Sequence, residues 1–426
     1  MKTHTSLFLA VAVLAIVPHL AVAQTTNPSD EGFSLGPAPE GYPYDKGDIK
    51  LADTFKRVAA PGTGRKAVQL TTGKGHKYPL YYFIPSLTKD LRYLIYHSTE
   101  SGTIQMHRLD LTTGESVQLT KGDTKQLGWW KSPGGVGVLD HRSVLNVARD
   151  QVIYFAGPDG RQARQVDLKT LKDTLLFELP EGRKAIAQNA CTPDGKWFLY
   201  VHGPASVNDK FLKGEAEALV MAYNFDTAEQ RVLHKGSNGS FHHITPYGNN
   251  RAFFCHPWSL VGFDGQPAAP VPVGCHSMVT ARGITCDGSS LYHPLTGKRV
   301  SVGWPKGAGH TGWDMEGRFW FWEIRGPHRL VYLKRYDETG KGRHEFADLT
   351  GEWRNSAIGQ RGHFHPLLTP DRKWMLFAAD EVDAGPKPAG TQLFLLDVSD
   401  LTGTDLVGDA VRKNPKLIGS ETQKRK

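Results

Sequence analysis

From about Lys66 to the end, the chain repeats one unit of apolar and polar alternation: a short strand, a turn, an aromatic-rich strand, then a strand closed by an Asp-Thr-Gly type hairpin. The first clear copy runs Tyr81 to Ile84, turn Thr88-Lys89-Asp90, Tyr93 to Tyr96, Met106 to Leu111, and turn Thr112-Thr113-Gly114. Period-two alternation bounded by turn residues predicts antiparallel strands. A looser copy carries Val152 to Phe155 and Gln165 to Leu168; a sharper one carries Thr192-Pro193-Asp194-Gly195-Lys196 and Trp197 to Val201. Further copies start at Phe241, at Cys275-His276, at Gly309-His310 and at His363. Self-similarity at roughly 30 to 50 residues without a long amphipathic helix predicts an all-β fold, a seven-bladed β-propeller of four-stranded antiparallel blades. In such a ring Trp197, Trp320, Trp322 and Trp374 pack between blades.

The flanks divide the chain further. Residues 1–23 read as a cleavable signal: Lys2, the apolar run Leu7 to Val17, and Ala21-Val22-Ala23 before Gln24. That run is too short to span a bilayer and no later stretch is apolar enough, so a periplasmic or secreted protein is expected. Residues 24–65 form an extended N-terminal segment, 66–402 the propeller, and 403–426 a basic tail. The formal charge of +8 fits an acidic partner. Nucleic acid is excluded by export and by the lack of a recognition helix, which leaves an acidic oligosaccharide or polysaccharide. Four cysteines are too few for a disulfide-built scaffold, although export permits a bond among them.

The chemistry gathers at the heads of the late blades. In Gln360-Arg361-Gly362-His363-Phe364-His365, the two histidines are two residues apart, so an extended strand projects both imidazoles from one face. Gln360 can turn its amide oxygen toward the same point. Three successive units open on a histidine: His276, His310 and His363. First strands of propeller blades line the central channel, so these side chains approach one another near one end. His310, Gln360, His363 and His365 then surround one divalent ion. The plainer reading is a set of channel histidines bound to water, which would have to hold four times over.

At these residues the chain resembles the oligogalacturonate lyases, seven-bladed propellers that cleave pectic fragments by β-elimination. The resemblance covers most of residues 66–402 in blade order and is closest in Tyr82 to Thr120 and in the last unit. That unit carries the family's Gln-x-x-His-x-His-Pro followed by a Thr-Pro turn, here Gln360, His363, His365, Pro366, Thr369 and Pro370. The resemblance implies manganese held by Gln360, His363, His365 and His310, with His276 as general base. His256 matches a Cys-His of the fourth blade. The family's substrate arginine has no counterpart near Pro257-Trp258, so Arg282 and Arg361 are the candidates for carboxylate binding, and His243 is placed to reach the cleft. The implied function is a metal-dependent lyase acting on uronic-acid oligomers or polymers and leaving 4,5-unsaturated products. Two alternatives stand beside it: a non-catalytic binding propeller of the translocation-associated kind, and a metal-dependent hydrolase, for which Asp314 is the nearby carboxylate.

Overall fold

In the computed structural model, seven antiparallel sheets follow one another along the chain. The structure describes residues 41–124, 137–138, 142–157, 159–205, 217–236, 243–254, 259–265, 269–271, 278–280, 283–286, 290–292, 299–301, 308–314, 319–324, 330–336, 343–346, 349–357, 363–385 and 388–402. The expected signal and the basic tail lie outside them. No helix among these residues is long and apolar enough to cross a membrane; the described residues hold one helical turn, Ser399–Thr402.

Blade 1 comprises Lys77–Pro79, Tyr93–Ser98, Gln105–Asp110 and Ser116–Gln118. Blades 2 to 6 follow in the same order, from Val144–Asn146 to Arg343–Phe346, each a sheet built from consecutive strands. Blade 7 has Leu367–Leu368, Trp374–Asp380 and Thr391–Asp397, and its fourth strand is Lys66–Gln69 from the other end of the propeller. Lys56–Ala59 adds a fifth strand beyond it, inside the stretch expected to be an extended lead-in. Strands from both ends of the chain therefore close one sheet, which leaves no separate first and last edge to be covered. The strand at Lys66, read from the sequence as the start of the first unit, belongs to the last blade.

One turn recurs where inner strands end. In blades 1, 3 and 7 a threonine hydroxyl bonds an aspartate two residues on (Thr88–Asp90 2.7 Å, Thr192–Asp194 2.7 Å, Thr369–Asp371 2.6 Å). The same aspartate accepts the backbone N–H two residues further along. The residue between them has positive φ: Leu91 at 60°, Gly195 at 72°, Arg372 at 60°. The Thr-x-Asp signature is thus a local hydrogen-bond program for the turn, independent of blade contacts.

The core lies in seams between neighbouring sheets. Blades 7 and 1 share a seam of Leu376, Leu393 and Leu395 against Tyr78 and Leu94; blades 6 and 7 share one of Phe321, Phe364, Phe377 and Phe394. Trp197, Trp320 and Trp322 are buried, and Trp374 packs at the rim of a seam. At burial of this kind, each large ring contributes roughly 1.5–3 kcal/mol of transfer free energy.

Candidate metal centre

His310 lies on the inner strand of blade 6, Ala308–Trp313. Ala308 faces Ile324 and Thr311 faces Trp322, so three steps on one strand meet two on the other, a β-bulge at Gly309-His310. Bulges re-aim side chains. This one sets His310 opposite Glu323, which closes the aromatic run of Phe319–Ile324. Gly312 on the same strand is required by contact: a Cβ there would stand 2.2 Å from the Phe321 ring.

His363 and His365 enter from blade 7. Phe364 between them is fully buried in the seam, its ring 5.4 Å from Phe377 between centroids, and its carbonyl accepts the Ala378 N–H at 3.1 Å. The extended strand expected here begins only at Leu367, and His365 has a φ of 46°, in the left-handed region. Such a conformation costs a non-glycine residue on the order of 1–2 kcal/mol. The two imidazoles nonetheless stack, 12° between planes and 5.6 Å between centroids. They share one side because Phe364 is anchored on the other.

The three imidazoles converge. His310 stands 4.4 Å from His363 and 4.5 Å from His365 between ring centroids, and one ring nitrogen from each lies within 4.8 Å of the others. All three are buried, His363 the most open at 9%. Glu323, with no exposed surface, takes His310 Nδ1 on Oε1 at 2.9 Å, His363 Nδ1 on the same oxygen, and the Phe364 N–H on Oε2 at 2.6 Å. Burial by itself raises a carboxyl pKa, but the hydrogen bonds from His310 and His363 hold Glu323 well below the usual carboxylate range. Both rings present Nδ1 to this carboxylate, which leaves both Nε2 atoms on the side away from it. Three buried imidazoles, two of them with carboxylate-oriented lone pairs, fit a first-row divalent ion.

A segment of blade 1 forms a plug packed against them. In blade 1, Pro79 faces Tyr96 and Leu87 bridges Leu94, so the intervening residues leave the sheet. The stretch Tyr81 to Ile84, read from the sequence as a strand, is this excursion. Tyr81 reaches rings from three other blades: His243 at 5.8 Å, His310 at 5.6 Å and His365 at 5.1 Å. Tyr82 stands 4.9 Å from His310 on one side and on the other lines a cavity of 460 Å³, shared with Tyr44, Asp314 and Arg372.

Of the residues proposed from sequence, His310, His363 and His365 meet. His243 is described too: it is 1% exposed, bridges Gln188, and packs on Tyr81 and Phe83. Gln360, His276, His256, Arg282 and Arg361 lie outside the described residues. Asp314 follows the same strand as His310, about 13 Å further along an extended chain. Its Oδ1 accepts the Phe319 N–H at 2.8 Å and its Oδ2 pairs with Arg372 at 3.4 Å, so it ties the far end of this strand to the start of the next. The carboxylate at the histidines is Glu323, which the pattern of apolar strands concealed; a lone acidic residue on the face of Phe319 and Phe321 was the available signal.

The molecule is a seven-bladed propeller with a buried centre of three histidines and one carboxylate at the heads of blades 6 and 7. No family model matches its sequence, and no curated protein does. Solved structures that share its architecture include two oligogalacturonate lyases. One is an oligogalacturonate lyase from Vibrio parahaemolyticus, 17% identical over 83% of this chain and 99% of that one, with a TM-score of 0.63. The other is an oligogalacturonate lyase in complex with manganese, 19% identical over 83% of this chain and 98% of that one, with a TM-score of 0.64. At these identities the likeness is one of fold.

Proposed function

We propose that the protein is a metal-dependent lyase that cleaves uronic-acid-containing oligo- or polysaccharides by β-elimination. The observation that supports this most is the convergence of His310, His363 and His365 on one buried point. These three, with Gln360, would hold the ion, and manganese is the candidate because a solved propeller of the same fold is in complex with it. When bound, a divalent cation supplies stabilisation for the negative charge that spreads into the C6 carboxylate as the C5 proton leaves.

The other steps fall to the chain. His276, three residues before Val279 in the sequence, takes the C5 proton; a neutral imidazole with pKa about 6.5 is a competent base near neutral pH. The electron pair forms the C4–C5 double bond, the C4–O bond breaks, and the leaving oxygen takes a proton from water while the protonated base returns its own to solvent. Arg282, Arg361 and His256 hold substrate carboxylates. His243, sealed against Tyr81 and Phe83, supports the wall of the site from behind. Export to the periplasm or beyond suits a substrate met outside the cytoplasm.

The test is the product. Incubation with a panel of uronate glycans should raise absorbance at about 235 nm, the mark of a conjugated unsaturated uronate formed by proton abstraction at C5. Silence on every glycan would instead favour the binding propeller.

A further inference from the structure

Glu323 lies on the strand face of Phe319 and Phe321, where an apolar side chain would complete the seam. Burying a carboxylate there is costly unless its oxygens are satisfied. Both are, by N–H groups from two blades: His310 Nδ1 from its own sheet, and His363 Nδ1 and the Phe364 amide from the next.

We infer that Glu323 is the positioning residue of the metal centre, selecting the tautomer of two ligand imidazoles and tying the histidine loop of blade 7 to blade 6. This rests on the metal reading of the site. Oε2 already accepts the Phe364 N–H and Oε1 is shared by two ring nitrogens, an arrangement in which the side chain accepts at every contact; it then selects the Nδ1–H form of His310 and His363 and turns each Nε2 lone pair toward the ion. The same side chain fixes ring rotation, since one oxygen is shared by both rings. Its second oxygen sets the height of the loop through Phe364, whose neighbours on either side are ligands.

Glu323→Gln tests this with almost no change of shape. An amide has one accepting and one donating end. If the NH2 faces the histidines, an imidazole must switch to its Nε2–H form and lose its ligand lone pair. If it faces Phe364, a backbone N–H meets a donor and the loop shifts. Either way Mn2+ affinity, read by calorimetry and by bound metal per chain after dialysis, should fall on the order of 10- to 100-fold, the usual loss when an outer partner of a metal-bound histidine is removed. Glu323→Asp keeps the charge and should recover part of the affinity. A glutamine variant binding Mn2+ within twofold of wild type would overturn the inference while leaving the metal reading intact. Wild-type protein that binds no Mn2+, Co2+ or Zn2+ would overturn the metal reading itself. Should the glutamine variant fail to fold, histidine-selective 15N spectra of metal-free wild type decide. Two buried Nδ1–H imidazoles are expected, and Nε2–H forms would overturn the inference.

Discussion

Residues 363 to 365 should answer to substitution in opposite ways. Phe364 has no exposed surface and lies against Phe377 in the seam between blades 6 and 7, whereas its neighbours face the channel. Phe364→Ala removes the ring and leaves a cavity that rigid sheets on both sides fill poorly, which costs about 3–5 kcal/mol. The backbone bonds of the position, from Ala378 and to Glu323, survive an alanine, so the cost is that of packing alone. His363→Ala loses a ring that is partly open and one hydrogen bond to Glu323, a loss of about 1–3 kcal/mol for the buried carboxylate that remains. Urea unfolding of metal-free protein measures both; the shift for Phe364→Ala should be the larger, and divalent-metal stabilisation should vanish with His363→Ala. A Phe364→Ala shift below about 1 kcal/mol, well under the range for a buried aromatic, would refute the placement of the ring in the seam.

Two further expectations concern the fold. His202 is buried and accepts a hydrogen bond from Arg183 Nε at 3.0 Å on Nδ1; burial first, then the guanidinium, lowers its pKa to about 4. The unfolded chain therefore binds more protons between about pH 6.5 and that value, so the contribution of His202 to stability is complete above about 6.5 and is lost as pH falls toward 4, with a slope of up to about 1.4 kcal/mol per pH unit. His202→Gln should flatten this limb of a stability-versus-pH curve; an unchanged slope would contradict the assignment. Val68 sits between two strands, facing Arg57 on one side and Leu395 on the other. Val68→Pro removes its amide donor and should open the closing blade at a cost of about 3 kcal/mol or more, seen as loss of cooperative melting; native-like melting would mean that the ring closes elsewhere.

Much of the fold was legible because its signals are local. The Thr-x-Asp turns, the period-two strands and their sevenfold recurrence each lie within a few residues, and the structure uses them as expected. What was misread depended on partners far along the chain. Tyr81 to Ile84 has the composition of a strand, and only its contacts with His243, His310 and His365 reveal a plug. Lys66–Gln69 reads as the first strand of a unit, because nothing local says that it pairs with Thr391–Asp397. In the centre, the alternation of His363 and His365 foretold a shared side, but the backbone reaches it through a left-handed residue and a buried phenylalanine. Glu323 was missed because its partners come from a bulge in its own sheet and a loop of the next. Asp314, nearer in sequence to His310, is the more visible acid and bonds the Phe319 amide instead.

The claim that binds these observations is that the histidine centre carries out metal-dependent β-elimination on uronate glycans. It is tested most directly by following absorbance at about 235 nm, where the conjugated product of C5 proton abstraction absorbs, with protein stripped of metal, the same protein after Mn2+ is restored, and His363→Ala. The account predicts that absorbance rises only with the metal-restored wild type. An equal rise in the stripped protein or in His363→Ala would contradict it.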